Sequence, residues 1–152
     1  MLKQNSYFLF GPRGTGKSYL LSETFPKEVK FDLLDDEVYF ELMRRPKRIE
    51  ESIIKKNQLL IIDEIQKLPK LLDEVHRLIE ERDAKFLLIG SSARKLKRHG
   101  ANLLAGRAWE ANLYPLTWKE ITNFDLIKYL NYGGLPRVWN SSDPAEELYM
   151  LK

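Results

Sequence analysis

The chain has no cysteine and only two histidines, His76 and His99, in 152 residues. The first absence excludes a disulfide framework, a thiolate nucleophile and a cysteine metal site; the second excludes a histidine-rich metal centre. Long apolar runs are missing as well. The longest, such as Leu59 to Ile62, is four residues, against about 20 for a membrane span. No signal peptide is expected at Met1, and a reducing, cytoplasmic location is the expectation. Nor does one charge dominate: 25 Lys and Arg face 22 Asp and Glu, a slight basic surplus that suits nucleic acid without requiring it. No segment is repeated, low in complexity or linker-like. What is present is globular, with 43% apolar and 31% charged residues in a length that fits one domain, so disorder is excluded as the dominant state.

Short apolar runs alternate with helical periodicity. Ser6 to Phe10 reads as a strand ended by glycines, and Leu21 and Phe25, four apart, place a helix over 17–25. Val29 to Leu34 predicts a second strand. Asp36 is positioned to cap a helix carrying Val38, Leu42 and Met43, and Pro46 to start another carrying Ile49 and Ile53. Leu59 to Ile62 is aliphatic without polar alternation, the pattern of a parallel strand covered on both faces. Leu68, Leu72, Val75 and Ile79 mark an amphipathic helix, Phe86 to Ile89 a fourth strand, and Arg107 to Leu113 a fifth. Strands separated by helical crossovers predict a three-layer α/β fold with a parallel sheet of about five strands. From Pro115 the pattern is helical and short, broken at Gly133 and Gly134, and the helix started by Asp143 and Pro144 is still amphipathic at the last residues. The expectation is a core over 1–114 and, over 115–152, the start of a helical lid cut from a longer protein. Trp109, Trp118 and Trp139 are expected in the core, and His76 and His99 on exposed helix or loop.

Gly11-Pro12-Arg13-Gly14-Thr15-Gly16-Lys17-Ser18 matches G-x-x-x-x-G-K-[ST] at every fixed position, between a predicted strand and helix. Glycines let the backbone curl so that successive N–H groups point at phosphate oxygens, and the positive helix end adds to the attraction. Lys17 would reach the β and γ phosphates, and Ser18 would offer a hard oxygen to magnesium. The bland alternative is a glycine-rich turn with a surface lysine. Asp63 and Glu64 end the aliphatic strand, where parallel sheets hold ligands. Asp63 suits a magnesium role and Glu64 the orientation of an attacking water, unless the pair merely caps a helix. Ser91 and Ser92, at the tip of the fourth strand, either meet the water or γ-phosphate or cap the helix over 93–98. Arg107, before the fifth strand, either reaches a neighbouring subunit's site or is a surface arginine. Two basic runs, around Arg44 to Arg48 and Arg94 to Arg98, read as solvated helix faces, with nucleic-acid contact the alternative.

GPRGTGKS, LLIIDEIQ, LLIGSSARKL, NLLAGRAWEANLYPLTWKE and GGLPRV, in this order, resemble the AAA-plus-like P-loop ATPases of bacteria and archaea over residues 7–138. Proteins of that family commonly carry a C-terminal domain of unassigned function. The resemblance implies a sheet ordered 5-1-4-3-2 followed by a small helical lid. It also implies ATP and Mg2+ as cofactors, held by the loop Gly11 to Ser18 and by Asp63. In the same likeness Lys17 contacts phosphate, Asp63 and Glu64 form the Walker B pair, Ser91 or Ser92 is the sensor, and Arg107 is an arginine finger acting between copies. Sensors of this kind are Asn or Thr in many relatives, and Arg137 is the one nearby candidate for a second-sensor arginine. The expected activity is magnesium-dependent ATP hydrolysis coupled to movement of an attached domain or partner. The rival is an ATP-gated switch with little turnover. A GTPase would need the guanine motif Asn-Lys-x-Asp, which is not in the sequence, and the Asp63-Glu64 pair speaks against a small-molecule kinase.

Overall fold

The computed structural model describes residues 5–98 and 104–151. Among them, strands β1 (Ser6–Phe10), β2 (Val29–Asp32), β3 (Leu59–Asp63), β4 (Lys85–Gly90) and β5 (Ala108–Asn112) form one parallel sheet in the order β2-β3-β4-β1-β5. This is the order that the resemblance implies, and the fold is the α/β fold of P-loop NTPases. Every side chain of β3 is buried, as its unbroken aliphatic run predicts for a central strand.

The chain divides into two compact units. The first holds the sheet: the chain up to Phe10 and Lys27–Asn112. The second holds Gly11–Pro26, including helix α1 (Lys17–Thr24), and the chain from Leu113 onward.

In the first unit Leu33, Leu42, Ile49, Leu60, Ile62 and Phe86 are fully buried in one cluster, each such side chain worth about 1.5–3 kcal/mol of transfer free energy. Three local boundaries differ from the sequence expectation. Strand β2 stops at Asp32 because the Asp32 carbonyl accepts from the Asp35 amide, turning the chain; Leu33 enters the core and Leu34 faces solvent. Asp35, not Asp36, caps α2 (Asp36–Arg44): its extended backbone lets Oδ1 accept from the amides of Glu37 at 2.8 Å and Val38 at 3.4 Å. The helix expected from Pro46 is the single turn α3 (Arg48–Glu51), tightened by i→i+3 bonds from Arg48 to Arg45 and Ile49 to Pro46, so Ile53 lies beyond it. Helix α4 (Leu71–Arg82) buries Leu71, Leu72, Val75 and Leu78, and α5 (Ala93–Arg98) follows β4.

In the second unit the stretch after Pro115 is not helical at first. The Leu116 amide bonds the Gly134 carbonyl at 2.7 Å, and Glu120 accepts from Thr117 in a turn. Helices α6 (Leu126–Tyr132), α7 (Pro136–Trp139) and α8 (Pro144–Met150) come later, with Asp125 capping α6 and Asp143 capping α8 as Asp-Pro predicts. Phe124, Tyr129 and Trp139 form an aromatic cluster, with Lys128 Nζ 4.9 Å from the Trp139 ring centre. The tryptophan expectation fails twice. Trp109 is 64% exposed on edge strand β5, and Trp118, 62% exposed, sits in the turn, where the Lys119 ammonium covers its ring.

Candidate functional site

The phosphate loop runs from Gly11 to Ser18 and leads directly into α1. Gly14 and Gly16 have φ of 81° and 88°, left-handed values that cost a residue with a Cβ. A Cβ at Gly11 would lie 2.5 Å from the Leu113 carbonyl, so the loop's first residue has no space for a side chain. Thr15 donates to the Pro12 carbonyl at 2.8 Å, closing the curl. Lys17 is not the surface lysine of the bland alternative. It is buried, with Nζ donating to the carbonyls of Gly11 at 2.6 Å and Pro12 at 2.8 Å. Pro12, Arg13 and Ser18 are exposed. The loop therefore presents curled backbone, a cation and an exposed hydroxyl within eight residues.

The first unit contributes a different set. Because all strands run parallel, with Phe10 beside Gly90 and Asp32 beside Asp63, the strand ends bearing Asp63 and Gly90 share one edge of the sheet. From β1 the chain crosses to β2, and from β4 it crosses past β1 to β5, so β1 and β4 flank the topological switch point where such sheets hold ligands. Asp63 is buried, its Oδ2 3.0 Å from Lys30 Nζ, which also lies 3.3 Å from Asp32 Oδ2. Burial alone would lower the Lys30 pKa, but bonding and attraction to Asp63 and Asp32 raise it above the ordinary lysine value. Asp63 Oδ1 accepts from the Glu64 amide at 3.0 Å.

Glu64 is half-buried with φ 57° and ψ 40°, a left-handed conformation that costs a non-glycine residue on the order of 1–3 kcal/mol. It opens a 3-10 turn, Ile65–Lys67, without using its side chain as a cap. Its carboxylate instead accepts from the side-chain amide of Gln66, which also donates to Ser91 Oγ at 3.3 Å. Ser91 and Ser92 are both half-buried. The sheet unit thus brings Asp63, Glu64 and Ser91 to one edge.

It does not bring Arg107 there. Arg107 precedes Ala108, which pairs with Ser6, so it lies at the opposite, amino edge and forms an ion pair with Glu80 of α4 that holds the Glu80 carboxyl below its usual range. The first basic run is ion-paired helix surface: Arg45 meets Glu51 at 2.5 Å, and Arg48 meets Glu41 at 2.9 Å. Of the second run Arg94 is exposed; the side chains of Lys95, Lys97 and Arg98, like His99 and Leu103, lie outside the described residues. Arg137 pairs with Glu147 of α8 at 2.5 Å.

Sequence reasoning missed Lys30 and Gln66. Lys30 becomes relevant only through the β2–β3 register. Gln66 stands inside the phrase LLIIDEIQ, and its position two residues after Glu64 was the available signal. Among the described residues no three acidic or histidine side chains are grouped to hold a metal, and no helix is long and apolar enough to cross a membrane.

Residues 3–122 match a family model described as an AAA domain. An uncharacterized protein of Methanocaldococcus jannaschii is 27% identical over 171 aligned positions, covering 95% of this chain and 38% of that protein. An uncharacterized protein of Haemophilus influenzae is 30% identical over 99 positions, covering 57% of this chain and 25% of that protein. The chain therefore spans well under half the length of these relatives. Among solved structures, the Aeropyrum pernix ORC2 protein in its ADP form has 17% identity and a TM-score of 0.48, covering 77% of this chain and 44% of that one. The Aeropyrum pernix ORC1 protein in complex with DNA has 16% identity and a TM-score of 0.44, covering 97% and 52%. With the family model matching from before β1 to beyond β5, the chain belongs to the AAA domain family, a family of nucleotide-binding P-loop domains.

Proposed function

We propose that the chain binds ATP with magnesium and hydrolyses it, and that hydrolysis drives or times movement of an attached domain or partner. The observation that carries this is the phosphate loop, with Gly14 and Gly16 in left-handed backbone, Lys17 among the loop's own carbonyls, and α1 beginning at once. Lys17 exchanges the Gly11 and Pro12 carbonyls for phosphate oxygens, which carry full negative charge and bind an ammonium more strongly. Ser18 and Asp63 suit magnesium: the ion takes hard oxygens, needs only one or two protein carboxylates and keeps several waters. Asp63 already lies against a cation, Lys30. When bound, the ion supplies positive charge to the phosphate oxygens. Glu64 orients the attacking water, and the strained backbone at Glu64 supports a functional demand there, since the following turn makes no use of its side chain as a cap. Ser91, with Ser92 beside it, senses the γ-phosphate. The missing guanine motif supports ATP over GTP. Residues 1–114 form the ATPase core in this reading, with 115–152 the start of a lid.

Phosphate release under multiple turnover, with ATP and with GTP, tests it. Glu64→Gln should keep Mg-ATP affinity within about threefold while turnover falls about a hundredfold, the range for losing a general base. Asp63→Asn should lose the magnesium dependence of binding. Equal loss of affinity in both variants would refute this division of roles. Tight ATP binding without turnover in the unmodified chain would make it a nucleotide-gated switch.

A further inference from the structure

We infer that Gln66 is a positioning residue for ATP hydrolysis: its side-chain amide holds the Glu64 carboxylate and ties it to Ser91 at the tip of β4. The inference rests on the proposed role of Glu64. Three observations in the sheet unit carry it. First, Gln66 Nε2 donates to Glu64 Oε2 and, at 3.3 Å, to Ser91 Oγ, so one amide spans the end of β3 and the end of β4. A carboxylate on a left-handed residue at the mouth of a turn has several open rotamers, and a donor fixed to one oxygen selects among them while leaving Oε1 to accept from a water.

Second, the fold makes room for this amide. A Cβ on residue 90 would stand 2.6 Å from Gln66 Oε1, so glycine at the end of β4 lets the glutamine side chain lie across the strand tip. Third, Gln66 Oε1 is buried and has no hydrogen-bond partner among the described residues. A side chain placed for stability alone would not bury an unpaired acceptor; one placed for its donor end accepts that arrangement.

Gln66→Ala should lower kcat for ATP about tenfold or more while KM and Mg-ATP affinity stay within about twofold. Gln66→Glu, which replaces the donor by a like charge, should lower kcat further. Gly90→Ala should reproduce the Gln66→Ala loss by pushing the amide aside, and Gln66→Ala combined with Gly90→Ala should be no slower than Gln66→Ala alone. A second measurement needs no turnover. In the nucleotide-free chain the Gln66 side-chain amide resonance should be protected from exchange and should shift in Glu64→Ala. An unprotected amide indifferent to Glu64→Ala would overturn the inference, as would unchanged kcat in both Gln66 variants beside an inactive Glu64→Gln. Full activity in Glu64→Gln would remove the hydrolysis reading itself, and this inference with it.

Discussion

At Lys17 the fold has taken an ammonium out of water and left it among backbone carbonyls. That placement is tolerable because both carbonyls of Gly11 and Pro12 accept from it, each bond to a charged donor worth about 1.5–3 kcal/mol. Truncation therefore acts twice. Lys17→Ala should weaken ATP binding tenfold or more, because the loop loses its cation for phosphate. It should also lower thermal stability modestly, because two loop carbonyls lose their donor. Titration with a fluorescent ATP analogue beside circular dichroism checks this: the helical spectrum should persist, since the buried residues of the second unit, Leu21, Phe25, Ile121 and Val138, are untouched. Unchanged affinity would remove the loop from the binding role.

Among the elements, α2 shows how little it takes to move a boundary. Two acids in succession, Asp35 and Asp36, are chemically equal candidates for its cap. The turn closed by Asp32 and Asp35 decides between them, because it leaves Asp35 extended and Asp36 already helical. Asp35→Ala should then cost about 1 kcal/mol, seen as a fall of about 2–4 °C in Tm for a chain of this size. Asp36→Ala should cost much less, because Asp36 gives only a first-turn charge. A larger loss in Asp36→Ala would place the cap as the sequence pattern suggested. The same logic explains β2, which ends where a side-chain and backbone turn at Asp32 outcompetes further pairing.

On the scale of the whole molecule, we propose that Arg107 acts as an arginine finger in the site of a second copy. Arg107 stands at the amino edge of the sheet, and the strands between it and its own carboxyl edge are about 13 Å long at ~3.3 Å per residue. In that role it would have to leave Glu80, its ion-pair partner. Specific ATPase activity should rise with protein concentration, and mixing Arg107→Ala with Lys17→Ala should restore part of the activity that each lacks alone. Activity independent of concentration, without recovery on mixing, would leave Arg107 as the ion-pair partner of Glu80 and nothing more.

The amino-acid sequence by itself determined the features that depend on near neighbours. Backbone hydrogen bonding and apolar periodicity are local, so the five strands, the α4 helix and the Asp-Pro start of α8 were all legible. So was the curled loop from Gly11 to Ser18, where left-handed Gly14 and Gly16 and the bonds of Thr15 and Lys17 to loop carbonyls all fall within eight positions. The strand order was legible only through the family likeness of whole phrases. Tertiary structure alone decided what depends on register and on competition for space. Lys30 meets Asp63 because β2 pairs with β3 at one offset, and Trp109 is exposed because β5 is an edge. Gln66 reaches both Glu64 and Ser91 because residue 90, twenty-four positions later, has no side chain to stop it. No local pattern encodes these, since each is set by which residues from distant segments are brought to the same edge of the sheet.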